Sequence, residues 1–404
     1  MKKIVIIGGG AAGYFTAINA KESNPDLDVT ILEKGKEVLQ KVKISGGGRC
    51  NVTHACFEPK ELVKFYPRGE KELLGPFHQF MTGDTFEWFD DRGVPLKIEG
   101  DNRVFPEANT SQAIIDCFQK SVDTLGIKVL TNHGVNKVTK QDNTWSIHTK
   151  EQVFEADQLV IAAGSSKKVW ELCETLDHAV VAPVPSLFTF NINDKRLVDL
   201  LGTSVPNATV TISGTKLEAS GPLLITHWGM SGPAVLKLSA FGARILADKH
   251  YQYNVEVNWL SRPTDKVLNV LLNLKKKEPR KTVILKSPFT EVSRRLWERF
   301  VLFSDISKTQ NWADLNNTQL EKLANQLTKG IYNANGRTTF KEEFVTAGGV
   351  DLKEINFKRF ESRKHNNLFF VGEVLNIDAV TGGFNFQNAW TGGYICAKAL
   401  AQEV

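Results

Sequence analysis

The apolar positions change their period along the chain, and the changes divide it into regions. Residues 3–7, Lys-Ile-Val-Ile-Ile, form a short, continuously apolar, β-branched run, the composition of a parallel strand covered on both faces. From Ala11 to about Ser23 small and apolar residues recur at helical spacing, Asn24-Pro25 supplies a stop, and Val29-Thr-Ile-Leu-Glu33 predicts a second strand. This is the opening of a βαβ unit. Ala156–Gly164 (ADQLVIAAG) and Leu368–Glu373 (LFFVGE) again predict short buried strands that end in glycine, and they suit the same sheet.

Between 187 and 262 the pattern alternates, as in Ala208-Thr-Val-Thr-Ile-Ser213 and Tyr251-Gln-Tyr-Asn-Val-Glu-Val257, which predicts half-buried strands of an antiparallel layer. From about 263 to 330 the period becomes helical. Leu268, Val270, Leu271 and Leu272 share one apolar stretch, and Thr318-Gln-Leu-Glu321 reads as a capping box before Leu320, Leu323 and Leu327, with Gly330 as the stop. Because the strand at 368 would complete the sheet begun at residue 3, the middle of the chain reads as an insertion. The expected fold is α/β. Residues 1–186 and 333–404 make a discontinuous Rossmann-like domain, 187–262 an inserted β-rich domain, and 263–332 a small helical domain.

Composition narrows the class. The 404 residues imply two or three domains at roughly 150 residues each. With 42% hydrophobic and 24% charged residues the chain is neither disordered nor collagenous nor membrane-embedded. The 50 Lys and Arg exceed the 45 Asp and Glu by five, too mild an excess over this length to require nucleic acid or membrane. The basic run Lys275–Lys281 reads as a solvated turn between helices. Five cysteines without a C-x-x-C pair do not make an extracellular disulfide framework. Glycines interrupt the apolar N-terminus, so neither a secretion signal nor a membrane span is read there, and the expected location is the cytoplasm.

The chemistry lies in three glycine clusters. Gly8, Gly10 and Gly13 give G-x-G-x-x-G between a predicted strand and a predicted helix. Such glycines permit a tight turn, backbone approach to a pyrophosphate and close helix–strand packing, and the helix N-terminus offers N–H groups to phosphate. Glu33 lies 20 residues past Gly13 at the end of the second strand, where a carboxylate accepts from adenosine ribose hydroxyls. The pattern means an adenine dinucleotide, NAD or FAD. The second cluster, Ser45-Gly-Gly-Gly-Arg-Cys-Asn51-Val-Thr53, can lay backbone N–H groups against anionic or carbonyl atoms. In the third, the strand at 368 leads through Asp378 and Thr381-Gly-Gly-Phe-Asn385-Phe-Gln387 into a helix beginning near Gly383. Its N-terminus would stabilise negative charge on the N1/C2=O edge of a reduced isoalloxazine.

IIGGGAAG, KISGGGRCNVT, RVFP (Arg103–Pro106), LVIAAG, ITHWGMSGPAVLKLS (Ile225–Ser239) and GEVLNIDAVTGGFNFQNAWTGG together resemble the bacterial FAD-binding flavoproteins of the BaiN/aminoacetone-oxidase-like family, within the glutathione-reductase-type FAD superfamily. The resemblance spans residues 4 to 393. It implies an FAD domain built from both chain ends, an inserted β-rich domain and a small helical domain. It further implies that Gly8, Gly10 and Gly13 hold the pyrophosphate, with Ala11 and Ala12 alongside, and Glu33 the ribose, with Lys34 beside it. Ser45, Gly47, Gly48, Arg49, Cys50 and Asn51 would line the flavin, together with Ala163 and Gly164. Gly372, Glu373, Asp378, Gly383, Phe384, Asn385 and Gln387 would lie near the ribitol and ring. The chain departs from the family pattern at His54, Asn376 and Ala379, where asparagine, an acid and glycine are usual.

The leading functional expectation is an FAD-dependent oxidoreductase that moves a hydride between flavin N5 and a small organic substrate or NAD(P)H. No second G-x-G-x-x-G follows a strand, so NAD(P)H would be a transient electron donor without its own domain. Cys50 and Cys56 raise a flavin disulfide reductase as an alternative, although their spacing is C-x5-C and that group uses C-x4-C. A flavin-containing RNA-modifying enzyme and a non-catalytic flavin-binding sensor are further alternatives. His227, beside Trp228, is the acid/base candidate, and Arg49 and, more weakly, Arg103 are anion contacts. No cluster has metal-ligand spacing, so no metal is expected, and the partner expected is a small molecule, not nucleic acid or membrane.

Overall fold

Lys3–Ile7 is an inner strand of a seven-stranded sheet, and its register pairs Ile4–Ile7 with Gln158–Ile161 on one side and Lys3–Ile7 with Asp28–Leu32 on the other, both parallel. Leu368–Phe370 extends the sheet beyond Gln158–Ile161, and Lys128–Leu130 extends it beyond Asp28–Leu32. The short strands Ile355–Asn356 and Glu361–Ser362 finish one edge antiparallel. The computed structural model describes residues 1–339 and 345–402, and 340–344 with 403–404 lie outside the described residues. The chain forms two compact units, residues 1–184 with 341–404 and residues 185–340.

In the first unit the apolar runs predict the strands because both sheet faces are covered: Ile4, Ile6 and Ile31 are wholly buried. The helix Ala11–Ser23 follows the glycine turn and is buried from Ala12 to Ala20, packed against the C-terminal helix Phe384–Ala401. Both ends of the chain thus meet on one sheet. One smaller sheet joins Thr53–His54, Arg103–Pro106 and Leu96–Ile98 in that order.

The second unit corrects two boundaries. Thr189–Ile192, Gly229–Ser231, Glu218–Ile225, Ser204–Ile212, Gln252–Asn258 and Gly330–Thr338 close the antiparallel layer into a barrel. Alternation along these strands points Val205, Ala208, Val210 and Ile212 inward, and the register shifts between Val205 and Ala208, where Pro206 has no N–H to give the ladder. The helices Thr264–Lys277, Arg294–Leu302 and Asn317–Thr328 are not a separate domain, because Leu271, Trp297, Phe300, Leu320 and Leu323 share one core with Val255, Trp259 and Tyr332 of the barrel. The last barrel strand also runs past residue 332, the expected return to the first domain. The capping box is Asn316 with Gln319, two residues ahead of the expected Thr318 and Glu321, because Asn316 Oδ1 accepts from Gln319 N at 2.9 Å. Gly330 opens the closing strand instead of ending the helix, which stops at Thr328.

Candidate functional site

The first glycine turn is built by contact. Gly8 N donates to Leu32 O at 2.8 Å, which joins the turn to the neighbouring strand end. A Cβ on Gly13 would stand 2.1 Å from Gly8 O, and one on Gly8 2.5 Å from Ala162 O, so helix, turn and sheet meet backbone to backbone. Gly10 caps the helix Ala11–Ser23 and has nothing within 4 Å of its missing side chain. Glu33 closes the other side: its Oε2 accepts from Gly9 N at 2.9 Å and its Oε1 from Gly35 N at 2.7 Å. A cavity of about 780 Å³ opens at these strand ends, lined by Gly8, Glu33, Lys34, His133, Ala163 and Ser166. The sequence-predicted Gly8, Glu33, Lys34 and Ala163 therefore meet on one space.

The second cluster breaks its own helix. Gln40–Gly48 loses helical geometry at Ser45, Gly46 and Gly47, and Gly47 and Gly48 take φ of +69° and +83° with open space where a Cβ would stand. Cys50 continues in the left-handed region at φ +60°, its N donating to Ser45 O at 3.0 Å. The Cys50 thiol is wholly buried, and burial pushes it up to about 12. Arg49 turns to Glu99 at 2.6 Å and lies 3.9 Å over the Phe105 ring, so its charge is already matched. That contact accounts for the RVFP segment, whose strand pairs Val104 with Thr53.

The third cluster is bolted to the second. In the amide orientation that satisfies both of its ends, Asn51 Nδ2 donates to Thr53 O and Val104 O, and Oδ1 accepts from Gly383 N at 3.1 Å. Asn51 therefore holds the residue that starts the helix Phe384–Ala401. Asn385 Oδ1 accepts from Ala379 N at 3.0 Å and closes the loop ahead of that helix. Gln387 is not free to reach a ligand: its buried Oε1 accepts from Thr53 and Thr85 hydroxyls at 2.6 and 3.0 Å. Asp378, wholly buried, forms a two-pronged ion pair with Arg68. Gly372 stands over Ala12, and Glu373 approaches Gly164 while its Oε2 pairs with Lys41 at 2.5 Å.

Several positioning residues escaped the sequence reading. Tyr66 donates to Phe384 O at 2.6 Å, and Trp390 to Val52 O at 2.9 Å. The His54 ring stacks on Phe384 at 4.4 Å with Nδ1 3.2 Å from Gly382 O, and burial lowers its pKa. Arg68, Lys41 and Glu99 complete the ion pairs. Their partners lie tens to hundreds of residues away, and no local pattern marks them. His54 alone carried a signal, as a departure from the family pattern.

His227 belongs to the other unit. It sits exposed on the turn where Thr226 and Gly229 exchange backbone hydrogen bonds, its ring edge-on to Trp228 at 5.3 Å. Cys56 is partly buried, and both it and Cys50 are free thiols.

A flavin dinucleotide fits the first unit's residues. Space is open above Gly10, Gly47 and Gly48, the cavity abuts the Gly8 turn and Glu33, and the buried Asn376 Oδ1 has no hydrogen-bond partner among the described residues. The profile of the HI0933-like protein Rossmann domain matches residues 2–399, almost the whole chain. The chain belongs to the HI0933-like family. It is an FAD-binding oxidoreductase of that family, with no helix among the described residues long and apolar enough to cross a membrane. It is 27% identical over 413 residues to a ribosomal RNA dihydrouridine synthase of Haemophilus influenzae, covering 99% of this chain and 98% of that protein. It is 25% identical over 421 residues to a 3-dehydro-bile acid delta(4,6)-reductase of Clostridium scindens, covering 100% of both. Among solved structures its fold is similar to that of a 3-ketosteroid-delta4-(5alpha)-dehydrogenase from Rhodococcus jostii, with TM-score 0.52 at 11% identity over 100% of this chain and 97% of that one.

Proposed function

We propose that the protein is a flavin-dependent reductase that hydrogenates a carbon–carbon double bond conjugated to a carbonyl, with NAD(P)H as the transient electron donor. Two relatives that match along their full length carry the reading. One is named for making dihydrouridine and the other for reducing a 3-dehydro delta(4,6) bile acid, and in both names the double bond lies beside a carbonyl. The substrate class therefore extends from uracil rings to steroid-like enones.

Bound in the first unit, FAD supplies hydride transfer at its N5 position. Gly8, Gly10 and Gly13, with the N-terminus of Ala11–Ser23, would hold the pyrophosphate, and Glu33, fixed by Gly9 and Gly35, the ribose. The N-terminus of Phe384–Ala401, fixed by Asn51, offers unpaired N–H groups to negative charge on the ring. Phe65 and His54 stack on Phe384, the first residue of that helix. His227 is the proposed proton donor, on its side-chain chemistry, and unchanged turnover in His227→Ala removes it.

The dithiol reading is disfavoured by Cys50, because a disulfide reductase attacks through a thiolate and burial holds this thiol protonated. The test is an anaerobic titration of the yellow protein with NADH and NADPH, followed by enones, uridine and a disulfide. Bleaching by a nicotinamide and recovery of colour with a conjugated alkene, but not with a saturated ketone or the disulfide, is the expected result. Recovery with the disulfide alone overturns it.

A further inference from the structure

His54 stands where the second and third glycine clusters meet. Its strand, Thr53–His54, lies against the glycines that precede the helix Phe384–Ala401. A Cβ on Gly383 would stand 2.4 Å from Thr53 O, and one on Gly382 3.2 Å from His54 Nδ1. His54 Nδ1 is itself 3.2 Å from Gly382 O. A carbonyl oxygen only accepts, so Nδ1 carries the proton and the lone pair of the neutral ring lies on Nε2. The ring also stacks on Phe384 at 4.4 Å, with Phe65 at 5.7 Å. Turning it over would break the Nδ1 bond, so the direction of Nε2 is fixed.

Nε2 has no hydrogen-bond partner among the described residues, and it is not sealed inside the fold as Nδ1 of His178 is. The half-buried ring therefore keeps one titratable nitrogen open. Its neighbours do little to charge it. Asp101 and Arg103 face it from the strand Arg103–Pro106 and the turn before that strand, and they are paired with each other at 2.7 Å. Cys56, whose N donates to His54 O at 2.7 Å, is held protonated by burial. Phe384, Phe65 and Thr82, whose hydroxyl donates to His54 O at 3.1 Å, bring no charge. Burial lowers the pKa of the ring and leaves it neutral near pH 7. Asparagine, usual at this position in the family pattern, also has an N–H for Gly382 O but cannot titrate.

We propose that His54 is the proton acceptor that balances the charge of the reduced flavin. Reduction by a hydride turns the neutral ring into an anion, with its charge on the N1/C2=O edge that the N-terminus of Phe384–Ala401 would hold. His54 stacks on the first residue of that helix, and an anion beside an imidazole favours the imidazolium. The balance is simple. Two electrons and one proton arrive at the ring as hydride from NAD(P)H, and His54 Nε2 takes a second proton from the buffer. When the hydride is passed on, that second proton returns to the buffer. The inference rests on FAD in the first unit and not on which double bond is reduced.

The test is an anaerobic titration of the FAD-loaded protein against redox dyes, from about pH 6 to about pH 8, in the wild type and in His54→Asn. Dithionite is the reductant, so no substrate enters. The wild type should take up two protons for each pair of electrons and the variant one, so the midpoint potential of the wild type should fall with pH about twice as steeply. The second readout is nitrogen NMR of labelled histidine at about pH 7 in the oxidised and the reduced wild type. The His54 signal is identified by its absence from the variant's spectrum, with or without flavin. It should show a neutral ring protonated on Nδ1 before reduction and two N–H groups afterwards. Equal slopes in the two proteins, or a His54 that stays neutral on reduction, overturns the proposal. A variant that holds no flavin leaves the NMR readout to decide, because the wild type carries it. Failure of every enone to reoxidise the flavin defeats the reductase reading and leaves this one standing.

Discussion

At Gly13 the molecule has no room for a single carbon. Its Cβ would fall 2.1 Å from a backbone oxygen that cannot rotate away, so Gly13→Ala must shift the helix from the phosphate turn. Overpacking of this kind costs about 1–3 kcal/mol, which corresponds to a loss of FAD affinity from about fivefold to more than a hundredfold, and flavin content on purification checks it. Asp378 lies at the opposite extreme, a wholly buried carboxylate that is needed because it faces the partly buried Arg68 guanidinium. Asp378→Asn removes the negative charge that the guanidinium faces and should destabilise the fold by about 3–5 kcal/mol, read from the denaturant midpoint. His178 is buried with Nε2 2.8 Å from Ser362 Oγ, and burial lowers its pKa, as it does for His54. Both rings bind protons less readily in the folded protein than in the unfolded chain. Stability should therefore be level above about pH 7 and decline as the pH falls below about 6.5, and His178→Gln should flatten that decline in urea midpoints.

At the scale of elements, the strands at 3–7 and 28–32, the helix Ala11–Ser23 and the helix after Gly383 are legible in the sequence, because a βαβ unit writes its periods and glycines locally. Glu33 is legible for the same reason, as a fixed offset from the turn. What holds the second and third clusters together is not: Asn51 meets Gly383, and Arg68 meets Asp378, across some three hundred residues. The capping box shows a local ambiguity, since Asn316-x-x-Gln319 and Thr318-x-x-Glu321 both satisfy the pattern and only the helix register decides. Asn316→Ala should cost about 1 kcal/mol in the stability of the second unit, whereas Thr318→Ala should cost little, by thermal melting.

At the scale of the molecule, the insertion was legible from the resumption of the parallel sheet at residue 368, but the closure of the barrel and the shared helical core were not. Alternation reports which face of a strand is buried, not which strand lies beside it. The cofactor residues that Glu33, the glycine clusters and the Phe384 helix provide lie in the first unit, so FAD should stabilise that unit by mass action, by about 2.7 kcal/mol at a hundredfold excess over its dissociation constant. Stripping FAD should lower one calorimetric transition and leave a second in place; a single transition that moves as a whole would refute independent unfolding.

The barrel's first and last strands run side by side, Thr189 opposite Thr338, so the polypeptide leaves through the doorway by which it came in. Neighbouring antiparallel partners stand about 4.5–5.5 Å apart, a gap that a couple of residues can cross. The second unit is thereby a detachable cassette. A lineage could lengthen, trade or delete it as a block without retuning the nucleotide fold that carries it.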